Sequence, residues 1–490
     1  MGMQKKKNRT KQVFSLAALL LMLITVFSCF SAAAASENEE QSNGTGKKYI
    51  IAMDTTFAPF EFEDSQGNRV GIDVELLEAI AKDQGFEYEA RAIGFDAALQ
   101  AVESGQADGI LAGCSITEER QKKMDFSTPY FDSGISMAVS KENDSIQSYE
   151  DLRGKKVAVK VGTEGATLAN KLSEQYGFSV VTFDDSANMY EDVKLGNTAA
   201  CFEDYPVLGY AISQDIGLKL VGEKEAGSSY GLGVKKGQNA ELLQMFNDGL
   251  ENVKASGEYQ RILDSYISSG DGTAANVESN EGVNFFTLLG TTFPRFVQAA
   301  GVTLWITAVS LVFAVVLGLL FCALRLSKYK VLHAITRVYL WVIRGTPVIV
   351  QAFMIYFGIP KLFGFTMPVE VASIITLTLN AGAYLSEIFR SGIEAVDVGQ
   401  MEAARSLGLP YMKTMQKVIL PQAARIVIPS VINQFIITLK DSSILSVIGL
   451  AELTKVGKAI VAQNLESFNT YLILAIYYLI LVSLLTALSA

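Results

Sequence analysis

FVQAAGVTLWITAVSLVFAVVLGLLFCAL, from Phe296 to Leu324, runs for twenty-nine residues without a charge. A helix needs about 20 apolar residues to cross a bilayer, so this stretch predicts a membrane span. A second charge-free run, Ser467 to Ala490, predicts another. Between them lie three less pure apolar segments, Gly345–Pro360, Val371–Ser386 and Ile426–Leu450, ended or interrupted by Arg344, Glu387 and the pair Lys440–Asp441. Five spans is the most economical reading, and it predicts an all-α membrane domain over residues 285–490. The composition agrees: of 490 residues half are hydrophobic and only 19% charged, and the mean hydropathy is +0.27, which excludes a wholly soluble protein.

Upstream of the spans the character changes. Residues 37–281 hold 43 acids and 21 bases, and residues 282–490 hold 8 and 15, so the net charge of −10 hides an acidic first half and a basic second half. The N-terminus reads KKKNRTK, then an uncharged run to Ser36 ending in SAAAAS, which predicts a secretory signal peptide or a signal anchor over 1–36. Cys29 is read as a small apolar residue of that signal. The segment SSGDGTAANVESNEGVN, 268–284, is a linker whose reach as a flexible coil is roughly 20 Å. Arg325, Lys328, Lys330 and Arg337 follow the first span, and Arg390, Arg405, Lys413, Lys417 and Arg425 follow the third. Cytoplasmic loops carry the excess of Lys and Arg, so both loops are expected inside and the 48–267 domain outside the cell. The chain closes at LTALSA with no basic residue after the fifth span, which raises the expectation of a truncation.

Residues 48–267 alternate short apolar strands (YIIAMD, ADGILAG, KVAVKV, AACF) with amphipathic helices (VELLEAIAKDQG, FDAALQAVESGQ). That alternation predicts an α/β domain with ligand contacts at the carboxyl ends of its strands. Several function classes drop out. One histidine and four scattered cysteines make a zinc site or a Cys/His enzyme untenable, and no metal is expected. No basic tract beyond the N-terminus suits nucleic acid. No G-x-x-x-x-G-K-[ST] loop occurs to cradle a nucleotide, so the chain is expected to be no ATPase.

GIDVELLEAIA, Gly71 to Ala81, resembles the signature of the bacterial extracellular solute-binding proteins for polar amino acids, family 3. DTTFAPF from Asp54, FDAAL from Phe95, AGCSITEER from Ala112, DFSTPYFDSG from Asp125, VKVGTEG from Val159 and EDYP from Glu203 follow in that family's order, in a form close to the glutamine-binding type. The resemblance implies a two-lobed periplasmic-binding-protein-like fold of type II. It also implies hinges at Tyr130–Ala138 and Ser228–Val234, with Cys114 and Cys201 as free thiols on opposite lobes. The segment EAARSLGLPYMKTMQKVILP resembles the EAA loop of ATP-binding-cassette (ABC) importer permeases of type I, with Glu402, Ala403, Ala404, Gly408, Leu420 and Pro421 matching. RGTPVIVQ, Arg344 to Gln351, resembles the polar-amino-acid branch of those permeases. The EAA loop reads as a short helix, a turn at Gly408 and a second helix closed by Pro421; by resemblance it docks on a separate ABC ATPase that binds the ATP.

A free amino acid presents a carboxylate and an ammonium about 3 Å apart, and burying both requires opposite charges. Arg120 offers a bidentate fork to the carboxylate, helped by Ser115 and the N–H of Gly113 beside Ala112. Asp204 is the partner expected for the ammonium. Phe57 and Phe95 would sandwich the side-chain stem, and by resemblance Asp54, Lys160, Glu164 and Glu203 surround the distal end. Asp54 with Lys160 suits a carboxamide, glutamine or asparagine, with glutamine leading; the two glutamates leave arginine or lysine as the alternative. Within the spans Glu387, Lys440, Asp441 and Ser442, with Asn380 nearby, mark the expected path, and the first and fifth spans are expected to face lipid. A five-span half encloses no path alone, so a homodimer is the simplest assembly. A ligand-gated receptor or channel on the same clamshell, and an enzyme on it, are the readings from other classes. Neither explains the EAA segment.

Overall fold

The computed structural model describes residues 47–64, 67–267, 284–327, 329–464 and 467–487. The signal segment with Cys29, Lys328 and linker residues 268–283 lie outside the described residues. The architecture lies in the unit that begins at Tyr49.

The α/β part has two five-stranded sheets. Lobe one orders its strands β4 (Glu87–Ala92), β1 (Lys48–Met53), β5 (Gly109–Ile110), β12 (Gly233–Lys235) and β6 (Met124–Phe126). Lobe two orders β11 (Leu218–Tyr230), β7 (Phe131–Ser140), β10 (Ala200–Asp204), β8 (Lys156–Lys160) and β9 (Ser179–Phe183). A small hairpin, β2 (Phe62–Glu63) with β3 (Arg69–Val70), flanks lobe one. β1 pairs parallel with β5, and β8 parallel with both β9 and β10. Each lobe has its own core: Ile51, Leu76, Ile80 and Phe246 in the first, Val157, Val159, Leu172 and Phe202 in the second. The chain crosses between lobes after β6 and returns after β11, with the Tyr130 N–H donating to the Tyr230 carbonyl where the crossings run side by side. Both segments expected as hinges sit here, although most of each is strand: β7 and β11 form a long antiparallel pair. Cys114 and Cys201 are free, buried and on opposite lobes.

The second part is helical. Among the described residues, four helices are long and apolar enough to cross a membrane: Phe285–Arg325, Val369–Glu394, Tyr411–Ile448 and Ser467–Ala487. The pair Lys330–Gly345 and Val348–Phe363, bent by 109° at its break, makes a fifth if taken as one span. The boundaries correct the sequence reading in four places. The first helix begins at Phe285, because Pro294 is accommodated inside it and the charge of Arg295 is met by Glu63 of the α/β part. The expected segment Gly345–Pro360 is the second arm of the broken span. Pro347 stops the first arm, and the Gln351 amide donates to the carbonyls of Ile343 (2.7 Å) and Thr346 (3.1 Å) that the break frees. Pro421 does not close the second EAA helix. Tyr411–Thr414 runs through a π-turn at Met415–Ile419 into Leu420–Asp441, and the widened turn absorbs the missing proline N–H. An unforeseen helix, Leu453–Asn464, stands between the last two spans. The first span packs one face along the third so closely that a Cβ on Gly318 would lie 2.9 Å from that of Leu385, and leaves Leu304, Trp305, Val312 and Leu319 exposed on another; the fifth is the least buried of the four long helices.

Candidate ligand pocket and membrane path

The carboxyl ends of β1, β5, β8 and β10 converge between the lobes. Asp54, Phe57, Phe95, Ala112, Gly113, Ser115 and Arg120 from lobe one face Lys160, Thr163, Glu164 and Asp204 from lobe two around a gap of about 10 Å³. Ten of the eleven residues expected at the site are therefore brought together. Arg120 reaches across the cleft, its guanidinium donating to the Ser115 carbonyl at 2.8 Å and to the Gly162 carbonyl of lobe two at 2.9 Å, with the Phe95 ring centre 5.1 Å from its Cζ. Lys160 and Asp54 form an ion pair between the lobes, both side chains 1% exposed. Burial alone would lower the Lys160 pKa, but the Asp54 and Glu203 carboxylates outweigh it and hold the ammonium above its ordinary range. The Phe57 ring lies 5.3 Å from that ammonium. Asp204 accepts from Ser133 Oγ at 3.0 Å; burial raises its pKa, and hydrogen bonds from Tyr230 and Ser133 partly offset this. A cation on one wall and an acid on the other, flanked by two aromatic faces, is an arrangement that can pair both ends of a zwitterion out of water.

Two expected roles are corrected. Glu203 does not line the gap. It is fully buried behind it, accepting from Ser186 Oγ at 2.7 Å and from the Asp204 N–H at 3.2 Å, because successive residues of β10 point to opposite faces. Burial pushes its pKa up to about 7. The Gly113 N–H is not offered to a ligand either, since it donates to Asp73 Oδ2 at 2.9 Å. Asp73 also accepts from the Tyr130 hydroxyl at 2.8 Å, so this acid of the GIDVELLEAIA helix anchors both the pocket loop and a lobe crossing. Burial raises its pKa to about 6, and raises that of the adjoining Glu61 well above the carboxylate range, Asp73 being the next cause. Gly113 takes φ +50°, and a Cβ there would lie 2.2 Å from the Phe57 ring, so only glycine lets that ring form the wall. Thr163, Ser133 and Tyr230 were missed. Thr163 caps the Glu164–Tyr176 helix by accepting from the Ala166 N–H.

The residues expected along the membrane path do not form one cluster. Glu387 is held by Arg325 and, at 3.0 Å, by Arg390. It lines a cavity of about 630 Å³ with Arg325, His333, Arg337, Arg344 and Tyr384. Arg344, at the break of the bent pair, lies over the Tyr384 ring at 5.4 Å. Lys440, Asp441 and Ser442 sit instead near the opposite end of the bundle. Lys440 is exposed, Asp441 half-buried, and Ser442 buried and donating to the Leu439 carbonyl at 2.7 Å. Asn380 is buried midway along the third span. In the EAA segment Glu402 and Ala403 are exposed, Ala404 is buried, Gly408 turns with φ +84°, and Leu420 and Pro421 follow the π-turn inside the fourth span as the first residues of Leu420–Asp441.

Known families match both halves. Residues 49–269 match the bacterial extracellular solute-binding proteins, family 3, and residues 310–490 match the binding-protein-dependent transport system inner membrane component. Over 191 residues the chain is 40% identical to a probable amino-acid permease protein, YxeN, of Bacillus subtilis, covering 39% of this chain and 85% of that one. The chain belongs to the amino-acid ABC transporter permeases. It carries a binding domain fused ahead of the permease. Two further relatives of this transporter chain are the arginine transport system permease protein ArtQ of Bacillus subtilis (36% identical, 39% of this chain and 88% of that one) and the glutamine transport system permease protein GlnP of Escherichia coli (38% identical, 38% and 86%). The relatives differ in the amino acid named.

Proposed function

We propose that this chain captures glutamine outside the cell in its 48–267 domain and passes it inward through its own helices, driven by a separate ABC ATPase seated on the EAA segment. The observation that carries the choice of ligand is the Asp54–Lys160 pair. Once Arg120 and Asp204 are assigned to the α-carboxylate and α-ammonium, Asp54 and Lys160 neutralise each other and leave an acceptor and a donor for a neutral carboxamide. Glu164 opens a helix, where the N-terminal dipole favours its charge without a ligand cation. A basic amino acid is the second reading, favoured by Glu164 and Asp54 standing in one gap and by the arginine relative. Two copies of the chain would enclose the path. Arg344 and Glu387 then offer a station for the zwitterion in the membrane, with Lys440 and Asp441 near its entrance. Calorimetric titration of the purified chain with the twenty amino acids tests the reading. Glutamine should bind tightest; arginine binding tightest selects the second reading, and no binding at millimolar concentration removes the receptor function.

A further inference from the structure

The soluble domain touches the helical bundle at one end only, among the described residues. On lobe one, Glu63 pairs with Arg295 of the first span, and the Met367 N–H donates to Gln106 Oε1 at 2.9 Å. Lys455 Nζ donates at 2.7 Å to the carbonyls of both Ala92 and Gly449. Gly449, at φ +96°, passes so close beneath Ile93 that a Cβ would lie 2.2 Å from its Cγ2. Two residues beyond Ile93 stands Phe95, a wall of the pocket. On lobe two, the Tyr471 hydroxyl lies 3.3 Å from the side-chain amide of Asn188. Asn188 belongs to the Ser186–Lys194 helix, whose Ser186 holds Glu203 beside Asp204.

Lys455 and Tyr471 stand on two helices packed as a hairpin. A Cβ on Gly457 would lie 3.1 Å from Leu474, and Tyr478 bonds both Thr454 and Glu452 at 3.0 Å. The hairpin shares a buried cluster with Leu439 of the fourth span (Leu453, Ile460, Ile473). That span's helix, Leu420–Asp441, is about 33 Å long, and its other end is the EAA segment.

We propose that the paired helices Leu453–Asn464 and Ser467–Ala487 gauge the separation of the two lobes, Lys455 gripping lobe one at the Ala92 carbonyl and Tyr471 reading lobe two at Asn188. Both contacts are made together only when the lobes meet, and the fourth span carries the result to the EAA segment. Lys455 and Tyr471 are positioning residues; neither touches the pocket. The inference rests on the reading of the chain as an ATP-driven importer.

The test uses the full chain with its ATPase in lipid nanodiscs and glutamine as probe, with arginine as second probe. Ligand affinity and ATP hydrolysis with and without ligand are measured for wild type, Tyr471→Phe, Asn188→Ala and the double variant. Affinity should stay within about threefold and basal hydrolysis should be unchanged. Ligand-stimulated hydrolysis should fall about fivefold in each single variant, and no further in the double, because both remove one contact. Lys455→Met should lose stimulation likewise. Single variants stimulated like wild type, or losses that multiply in the double, overturn the gauge. A wild-type chain that takes neither probe, or whose hydrolysis ignores both, overturns the importer reading and the gauge with it.

Discussion

The pocket between the lobes and the cavity among the helices hold similar side chains under opposite conditions. In the pocket Asp54, Lys160 and Asp204 are buried, each met by a partner, around about 10 Å³ of space. In the cavity Arg325 and Glu387 keep 38% and 22% of their side chains exposed in about 630 Å³. Desolvated charges demand matched partners, so a pocket of this kind discriminates sharply between ligands. Half-hydrated charges hold a zwitterion weakly, which is what a passage needs, since a solute bound too tightly never leaves. On the proposed function, the difference separates selection from transit within one chain.

The largest effect expected from that contrast is at Arg120. Arg120→Ala should weaken ligand capture more than about 100-fold, the cost of leaving a carboxylate buried without its partner. The melting temperature should move by only a few degrees, because the removed bonds are to two carbonyls. Wild-type affinity in this variant breaks the assignment. In the cavity the same logic predicts a smaller loss confined to transport. Glu387→Gln should lower uptake about tenfold and leave calorimetric capture unchanged, and weakened capture would show that the two chambers are not independent.

The smallest effect concerns Glu203. Burial raises its folded pKa to about 7, so the protonated form is favoured and its contribution to stability is complete below the unfolded value. That contribution is lost as pH rises through about 7. Glu203→Gln should therefore match wild type at pH 5 and melt a few degrees higher at pH 8, about 2 kcal/mol at most. Equal melting at both pH values would place Glu203 in a solvated setting instead.

Much of this was legible in the sequence because it depends on local pattern. The carboxyl ends of β1, β8 and β10 put Asp54, Lys160 and Asp204 at the cleft, and the ordered motifs named ten of the residues the structure brings together there. Glu203 failed because alternation along β10 turns it away from Asp204, a two-residue distinction that composition does not register. Asp73 was readable in hindsight. It falls with Ile72, Leu76, Leu77 and Ile80 on the buried face of its helix, where an acid needs partners. The bend at Thr346–Pro347 and the helix after Gly449 were not legible. Their polar groups are satisfied by residues distant in sequence or by the other domain, as with Gln351 and Lys455.

The central claim is that a zwitterion caught between the lobes is moved across a membrane by this chain and a separate ATPase. Uptake of radiolabelled glutamine into proteoliposomes holding both polypeptides tests it most directly. ATP-dependent accumulation that disappears with Arg120→Ala is the predicted result, and accumulation unaffected by that substitution, or none with any amino acid, contradicts it.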